Sequence, residues 1–160
     1  MSPEKPAGSS FPSQGRLLGV DVGTVRIGLA ICDAAQKMAG PLTTYVRRTA
    51  VLDSDYFSTL VRAEQIVGLV VGLPLHLSGR DNAKSREVQG FARWLAEATG
   101  CPLVFYDERF STAQADELIG GELTKKQRKL RIDKLAAQII LAGYLESDRQ
   151  STWEQSIDGG

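Results

Sequence analysis

The sequence predicts an α/β fold: a five-stranded mixed sheet, in strand order 3-2-1-4-5, flanked by helices. Three observations lead there. The first third of the chain carries three apolar, β-type runs joined by connections too short for crossovers, so they read as an antiparallel meander. The remainder alternates helix-period stretches with short, wholly apolar runs, the composition of parallel strands buried on both faces. Finally, 160 residues suit one packed domain, and right-handed crossovers place the later strands beside the first.

Each element follows from local composition. Arg16 to Asp21 is an apolar strand ending on a carboxylate, and Val22-Gly23-Thr24 turns the chain at once. Arg26 to Cys32 and about Gly40 to Val46 complete the meander. From Val51, apolar residues at Leu52, Tyr56, Leu60 and Ala63 recur near the helical period. Ile66 to Val71 is a short buried strand closed by Gly72-Leu73-Pro74. Val88, Phe91, Ala92, Leu95 and Ala98 form one face of a second helix between Asp81 and Thr99, with Gly100 as its C-cap. Leu103 to Tyr106 is the fifth strand and runs into Asp107-Glu108-Arg109. Ser111 with Gln114 matches a capping box for a helix through residues 113–119, which Gly120-Gly121 ends. Glu122 to Arg131 is polar and basic, and Ile132 to Leu145 reads as a packed final helix opened by Asp133. This order of elements is the ribonuclease H-like arrangement. Residues 1–14, rich in Ser, Pro and Gly, and residues 148–160, which lack periodicity, read as disordered tails around a domain spanning 15–147.

Composition excludes several classes. Nineteen Lys and Arg balance nineteen Asp and Glu, so no global charge draws the protein to nucleic acid, although a local basic patch stays open. The longest apolar run, Ile66 to Leu73, falls far short of the roughly 20 residues of a membrane helix. No secretory h-region is present in the N-terminal stretch, and a cytoplasmic location is expected. Cys32 and Cys101 form no C-x-x-C pair and read as two buried thiols.

The chemistry-bearing candidates are acidic. Asp21 closes the first strand, Glu108 (or its neighbour Asp107) closes the fifth, and Asp133 opens the last helix. Such oxygen donors suit Mg²⁺ or Mn²⁺, and a cluster of them can clamp a scissile phosphate. Each also has a purely structural role open to it: Asp21 as a turn residue, Glu108 in a surface ion pair, Asp133 at the positive end of a helix dipole. Lys125, Lys126, Arg128 and Lys129 lie just before Asp133 and read either as a phosphate-binding arm or as a solvated loop. Arg26 and Arg109 are further candidate phosphate contacts. Ser111 and Thr112 read as helix-start groups, and His76, the sole histidine, as a loop residue without a chemical task.

Four segments taken together carry a resemblance. Gly19-Val20-Asp21-Val22-Gly23-Thr24-Val25-Arg26-Ile27-Gly28, Val70-Val71-Gly72-Leu73-Pro74-Leu75, Asp107-Glu108-Arg109-Phe110-Ser111-Thr112 and Ile132-Asp133-Lys134-Leu135-Ala136-Ala137 resemble the bacterial YqgF family. Its members are Holliday-junction-resolvase-like proteins of ribonuclease H-like fold, also described as pre-16S rRNA nucleases. The resemblance spans roughly residues 16–147 and departs from the family pattern at Val25, where Lys is expected beside Arg26. It implies a nuclease dependent on Mg²⁺ or Mn²⁺ that matures the 5′ end of 16S rRNA. It also implies catalytic and metal-binding roles for Asp21, Glu108 and Asp133, and no other cofactor. Precursor rRNA or a pre-ribosomal particle is then the expected partner of a monomer or homodimer. Branched DNA, or a catalytically idle RNA-binding module, is the alternative. The Asp21-Val22-Gly23-Thr24 turn also resembles the first phosphate loop of the actin and sugar-kinase superfamily, but that chemistry needs two such lobes and the length supplies one.

Overall fold

The computed structural model describes residues 11–74, 82–107 and 125–147. Within them lie β1 (Arg16–Val22), β2 (Arg26–Cys32), β3 (Ala39–Val46), α1 (Ala50–Glu64), β4 (Ile66–Leu73), α2 (Ala83–Thr99), β5 (Leu103–Asp107) and α3 (Lys125–Glu146). The strands form one sheet in the order β3-β2-β1-β4-β5, as the sequence predicts. β1, β2 and β3 pair antiparallel, whereas β4 joins β1 and β5 joins β4 in parallel. The two short connections make hairpins possible, and the two helical connections permit parallel return.

Both sheet faces are covered, which is why β1 and β4 are nearly continuous apolar runs. Alternation along the strands divides them between two cores. Leu18, Val20, Ile27, Leu29, Leu69, Val71, Leu103 and Phe105 face α1 and α2, where Phe57, Val88 and Leu95 complete the packing. Leu17, Ala30, Val70 and Val104 face α3 and meet Ala137, Ile140, Leu141 and Tyr144. Cys32 and Cys101 are both buried thiols outside any disulfide, in line with the expectation for the two.

Helix ends are fixed by local hydrogen bonding. The Thr49 side chain accepts the Leu52 N–H at 3.2 Å, and Gln65 closes α1 in the left-handed region. Asn82 accepts the Ser85 N–H at 2.8 Å at the start of α2. Gly100 ends that helix at φ 75°, the C-cap its position suggested. No helix among the described residues is long and apolar enough to cross a membrane.

Two boundaries differ from the sequence expectation. Phe11, within the stretch expected to be a tail, is buried: its ring lies on Gly68 and meets Tyr144 edge-on at 5.7 Å. Phe11 is thus packed on the domain, while Ser13 and Gln14 are exposed. The last helix already covers Lys125, seven residues before Ile132, so the basic stretch is helical from residue 125 onward. Lys, Arg, Gln and Leu are strong helix formers, and a mostly polar segment made of them shows no apolar period to betray it. Asp133 consequently lies more than two turns inside α3, and the helix-dipole role is removed.

Candidate active site

The site grows out of the β1–β2 hairpin. Asp21 shares the pleat parity of Leu17 and Gly19, and thus faces α3. Its cross-strand partner is Gly28. A Cβ on Gly28 would overlap the carbonyl of Asp133 and come within 3.1 Å of the Lys134 nitrogen, so the backbone of α3 rests directly on this position. Gly19 acts likewise further along, where an added Cβ would stand 2.8 Å from the Leu141 Cβ and 3.0 Å from the Ala137 oxygen. Small residues on the sheet let the helix descend, and its descent brings Asp133 to the Asp21 face.

Arg26 completes this constellation from the first position of β2. Its Nε donates to Oδ2 of Asp133 at 2.9 Å, and the two side chains are 23% and 21% exposed. That burial puts the pair between a weak surface bridge and a desolvated one. Asp21, also half-buried, thus lies in the same neighbourhood as a carboxylate 112 positions away and a guanidinium that orients it.

At the end of β5 the alternation separates two neighbours. Asp107 has the parity of Leu103 and Phe105, on the α1/α2 side. Tyr106 has that of Val104, on the α3 side, and lies against Gly143 of α3. Burial, with the nearby charges of Asp107 and Glu146, pushes the Tyr106 phenol upward. β5 is separated from β1 by β4, about 9–10 Å across the sheet. Among the described residues, no three His, Cys, Asp or Glu side chains form a metal-binding group. Glu108, Arg109, Ser111, Thr112 and His76 lie outside the described residues, as does the helix expected over 113–119. Of the basic stretch, Lys125, Lys126, Arg128 and Lys129 occupy the first turns of α3.

Behind the hairpin is a feature the sequence reading missed. A groove of about 780 Å³ is lined by Val22 to Val25, the β3–α1 link and one side of α2. Arg47 organises it: its N–H donates to the Val25 carbonyl at 2.9 Å, its Nη1 to the Gly23 carbonyl at 2.8 Å, and its guanidinium stacks 4.6 Å from the Phe91 ring centroid. The Arg47-Arg48 pair between a strand and a helix cap was the available signal.

A mixed sheet in this order, with an acidic strand end crossed by an acid-bearing helix, defines a domain of the ribonuclease H-like class. The chain belongs to the RuvX family, described as Holliday junction resolvase, whose model matches residues 15–147. The relative from Rhodopirellula baltica named "Putative pre-16S rRNA nuclease" is 46% identical, with 95% of each chain covered. A relative of the same name from Sphingopyxis alaskensis is 41% identical over 87% of this chain and 91% of its own. Among solved structures, Thermus thermophilus RuvC in complex with a Holliday junction substrate matches with a TM-score of 0.50 and 17% identity, covering 86% of this chain and 98% of that one. The yeast mitochondrial Holliday junction resolvase matches with a TM-score of 0.50 and 12% identity, covering 93% and 82%. These two likenesses establish the shared fold.

Proposed function

We propose that this protein is a divalent-metal-dependent nuclease that hydrolyses phosphodiester bonds in precursor 16S rRNA, trimming its 5′ end. The reading rests on one observation above others: Asp133 rests over Gly28, the strand partner of Asp21, and is gripped by Arg26. Carboxylate oxygens on one sheet face are the donor type that hard cations take, so Asp21 and Asp133 fit Mg²⁺ or Mn²⁺. Glu108 is assigned as the third ligand in preference to Asp107, whose pleat parity is that of the opposite face. When bound, the metal supplies Lewis-acid polarisation of the scissile phosphate and an activated water.

The chain's own residues do the rest. Arg26 fixes the Asp133 carboxylate and offsets the repulsion between it and Asp21. Lys125, Lys126, Arg128 and Lys129 lie in the turns of α3 that precede Asp133, so backbone phosphates they hold lead toward the acids. Arg109 adds a contact from the β5 side. The names carried by the relatives point to pre-16S rRNA, hence to a pre-ribosomal particle as partner and a cytoplasmic setting. The family's description favours a second reading, resolution of branched DNA, which would require two copies acting on paired strands.

One comparison tests both. Wild type, Asp21→Asn and Asp133→Asn are incubated with precursor 16S rRNA and with a four-way DNA junction under Mg²⁺ and under Mn²⁺. Metal-dependent cleavage of the RNA by wild type alone is expected. Junction cleavage in its place would move the substrate to DNA. RNA binding without cleavage in every condition would leave a binding module and overturn the enzyme.

A further inference from the structure

We infer that the groove behind the β1–β2 hairpin is a second nucleic-acid subsite, which takes the single-stranded flank of the substrate by holding its phosphates and stacking its bases. The inference rests on the proposed nuclease reading only for the identity of the strand. Its residues are Arg47, Arg48, Lys84, Phe91 and Trp94, none of which belongs to the acidic site.

Charge gives the first argument. Three cations and two carboxylates line the groove, but the carboxylates are not equivalent. Asp53 is 4% exposed, and its Oδ1 accepts the Tyr45 hydroxyl at 2.6 Å and the Arg48 N–H at 2.9 Å, so its charge is spent inside the protein. Glu87 alone faces the three cations from the surface. Arg48 and Lys84 are exposed, and neither is tied in an ion pair among the described residues. On a chain of formal net charge zero, this local excess is a property of the groove and not of the composition.

The second argument is the aromatic wall. Phe91 and Trp94 lie one helical turn apart on α2, half-buried, with ring centroids 5.4 Å apart. Arg47 already stacks its guanidinium on Phe91. Cations for phosphates beside aromatic faces and a guanidinium plane for bases are the chemistry of single-strand binding. Bases in a duplex have no free faces to offer such a wall.

Continuity gives the third. Val22 to Val25 form one wall of the groove and also connect Asp21 to Arg26. Four residues reach at most about 14 Å even when fully extended. The acids face α3 and the groove faces α2, so a strand lying across the acids reaches the groove by passing over the hairpin tip. Val25, 56% exposed at that tip, presents no charge to obstruct it.

The test uses the full chain in EDTA, so that cleavage plays no part. Anisotropy of a labelled 12-nucleotide single-stranded RNA, with its DNA counterpart as a second arm, gives affinity across a salt series. Arg48→Gln combined with Lys84→Gln is expected to weaken binding and to flatten the log–log salt slope by about 1.4, two contacts at roughly 0.7 each. Trp94→Leu is expected to weaken it about 5- to 150-fold, the range for one stacked base, while Trp94→Phe retains most of the affinity. Thermal melts confirm that each variant is folded. Unchanged affinity and slope in the charge variant would overturn the subsite. So would equal losses in Trp94→Leu and Trp94→Phe, or displacement of the RNA by oligoglutamate at matched charge, which would assign the groove to an acidic peptide. Intact binding in a protein that fails to cleave removes the nuclease reading and leaves the subsite standing.

Discussion

Gly28→Ala is expected to dismantle the acidic site while leaving every charged residue in place. Gly28 sits inside β2, paired to Asp21 on one side and Thr44 on the other, and its α3 face is occupied by helix backbone. An alanine Cβ would overlap the Asp133 carbonyl, well inside the 3.0 Å that such atoms keep, and no side-chain rotation relieves a clash with backbone. The helix must withdraw locally by about 1 Å or more to regain ordinary contact. Overpacking of this kind costs about 1–3 kcal/mol, which for a chain of this length lowers Tm by roughly 2–4 °C per kcal/mol.

Displacement matters more than stability. The 2.9 Å bond from Arg26 to Asp133 lengthens beyond hydrogen-bonding range with a shift of that size, and Asp133 leaves its place beside Asp21. Misplacement by 1 Å can reduce a rate about 100-fold. The assay pairs a thermal melt with the rate of metal-dependent RNA cleavage. Gly40→Ala is the control, since a Cβ there meets nothing within 4 Å, and it should stay within about 0.5 kcal/mol of wild type and at full rate. Wild-type stability and rate in Gly28→Ala would refute the idea that close approach of α3 builds the site.

Three further outcomes are expected. Arg26→Gln should destabilise by about 1–3 kcal/mol, between the exposed and buried limits for an ion pair, and should slow cleavage; a melt and rate identical to wild type would count against its role in holding Asp133. Burial, together with its bond to the Asp53 carboxylate, pushes the Tyr45 phenol up to about 12, so the folded state holds this proton more tightly than the unfolded chain, whose phenol titrates near 10. That stabilisation is complete below about pH 10 and is lost as pH rises toward 12, so Tyr45→Phe should cost about 1.5–3 kcal/mol at neutral pH and shrink the alkaline loss of stability; an unaltered difference between pH 9 and 12 in chemical denaturation would contradict it. Replacing Lys125, Lys126 and Lys129 together by Gln should lower RNA affinity and flatten its salt dependence, and an unchanged slope would remove these positions from the interface.

What could be read from the chain, and what could not, divides along physical lines. The strand order was legible because buried parallel strands and meander strands leave different apolar patterns, and Asp21 stood out as a carboxylate ending such a run. Gly100 announced its cap because few other residues take φ 75° without strain. The start of α3 was hidden because residues 125–131 carry helix propensity without apolar periodicity. Phe11 was hidden by its neighbours: one aromatic among Ser and Pro gives no period, and only the bare surface of Gly68 shows where it packs. The Arg47–Phe91 contact joins residues 44 apart, and no local pattern encodes such a pairing.

The same reasoning identifies what holds the acids together. Like charges on one sheet face repel, at most by about 4 kcal/mol for a pair 4 Å apart at an effective dielectric near 20, and Arg26 offsets part of this. The remainder must come from packing elsewhere. Ile140, Leu141 and Tyr144, in the distal half of α3, are 0–2% exposed, and burial of each such side chain contributes roughly 1.5–3 kcal/mol. Their combined contribution exceeds the repulsion, so the apolar end of the helix can hold its acidic part against the sheet. The glycines set where that force acts: Gly19 admits the helix at Ala137 and Leu141, and Gly28 admits it at Asp133. A chain with the same carboxylates but bulkier residues at these two strand positions would keep the chemistry in its sequence and lose the convergence on which it depends.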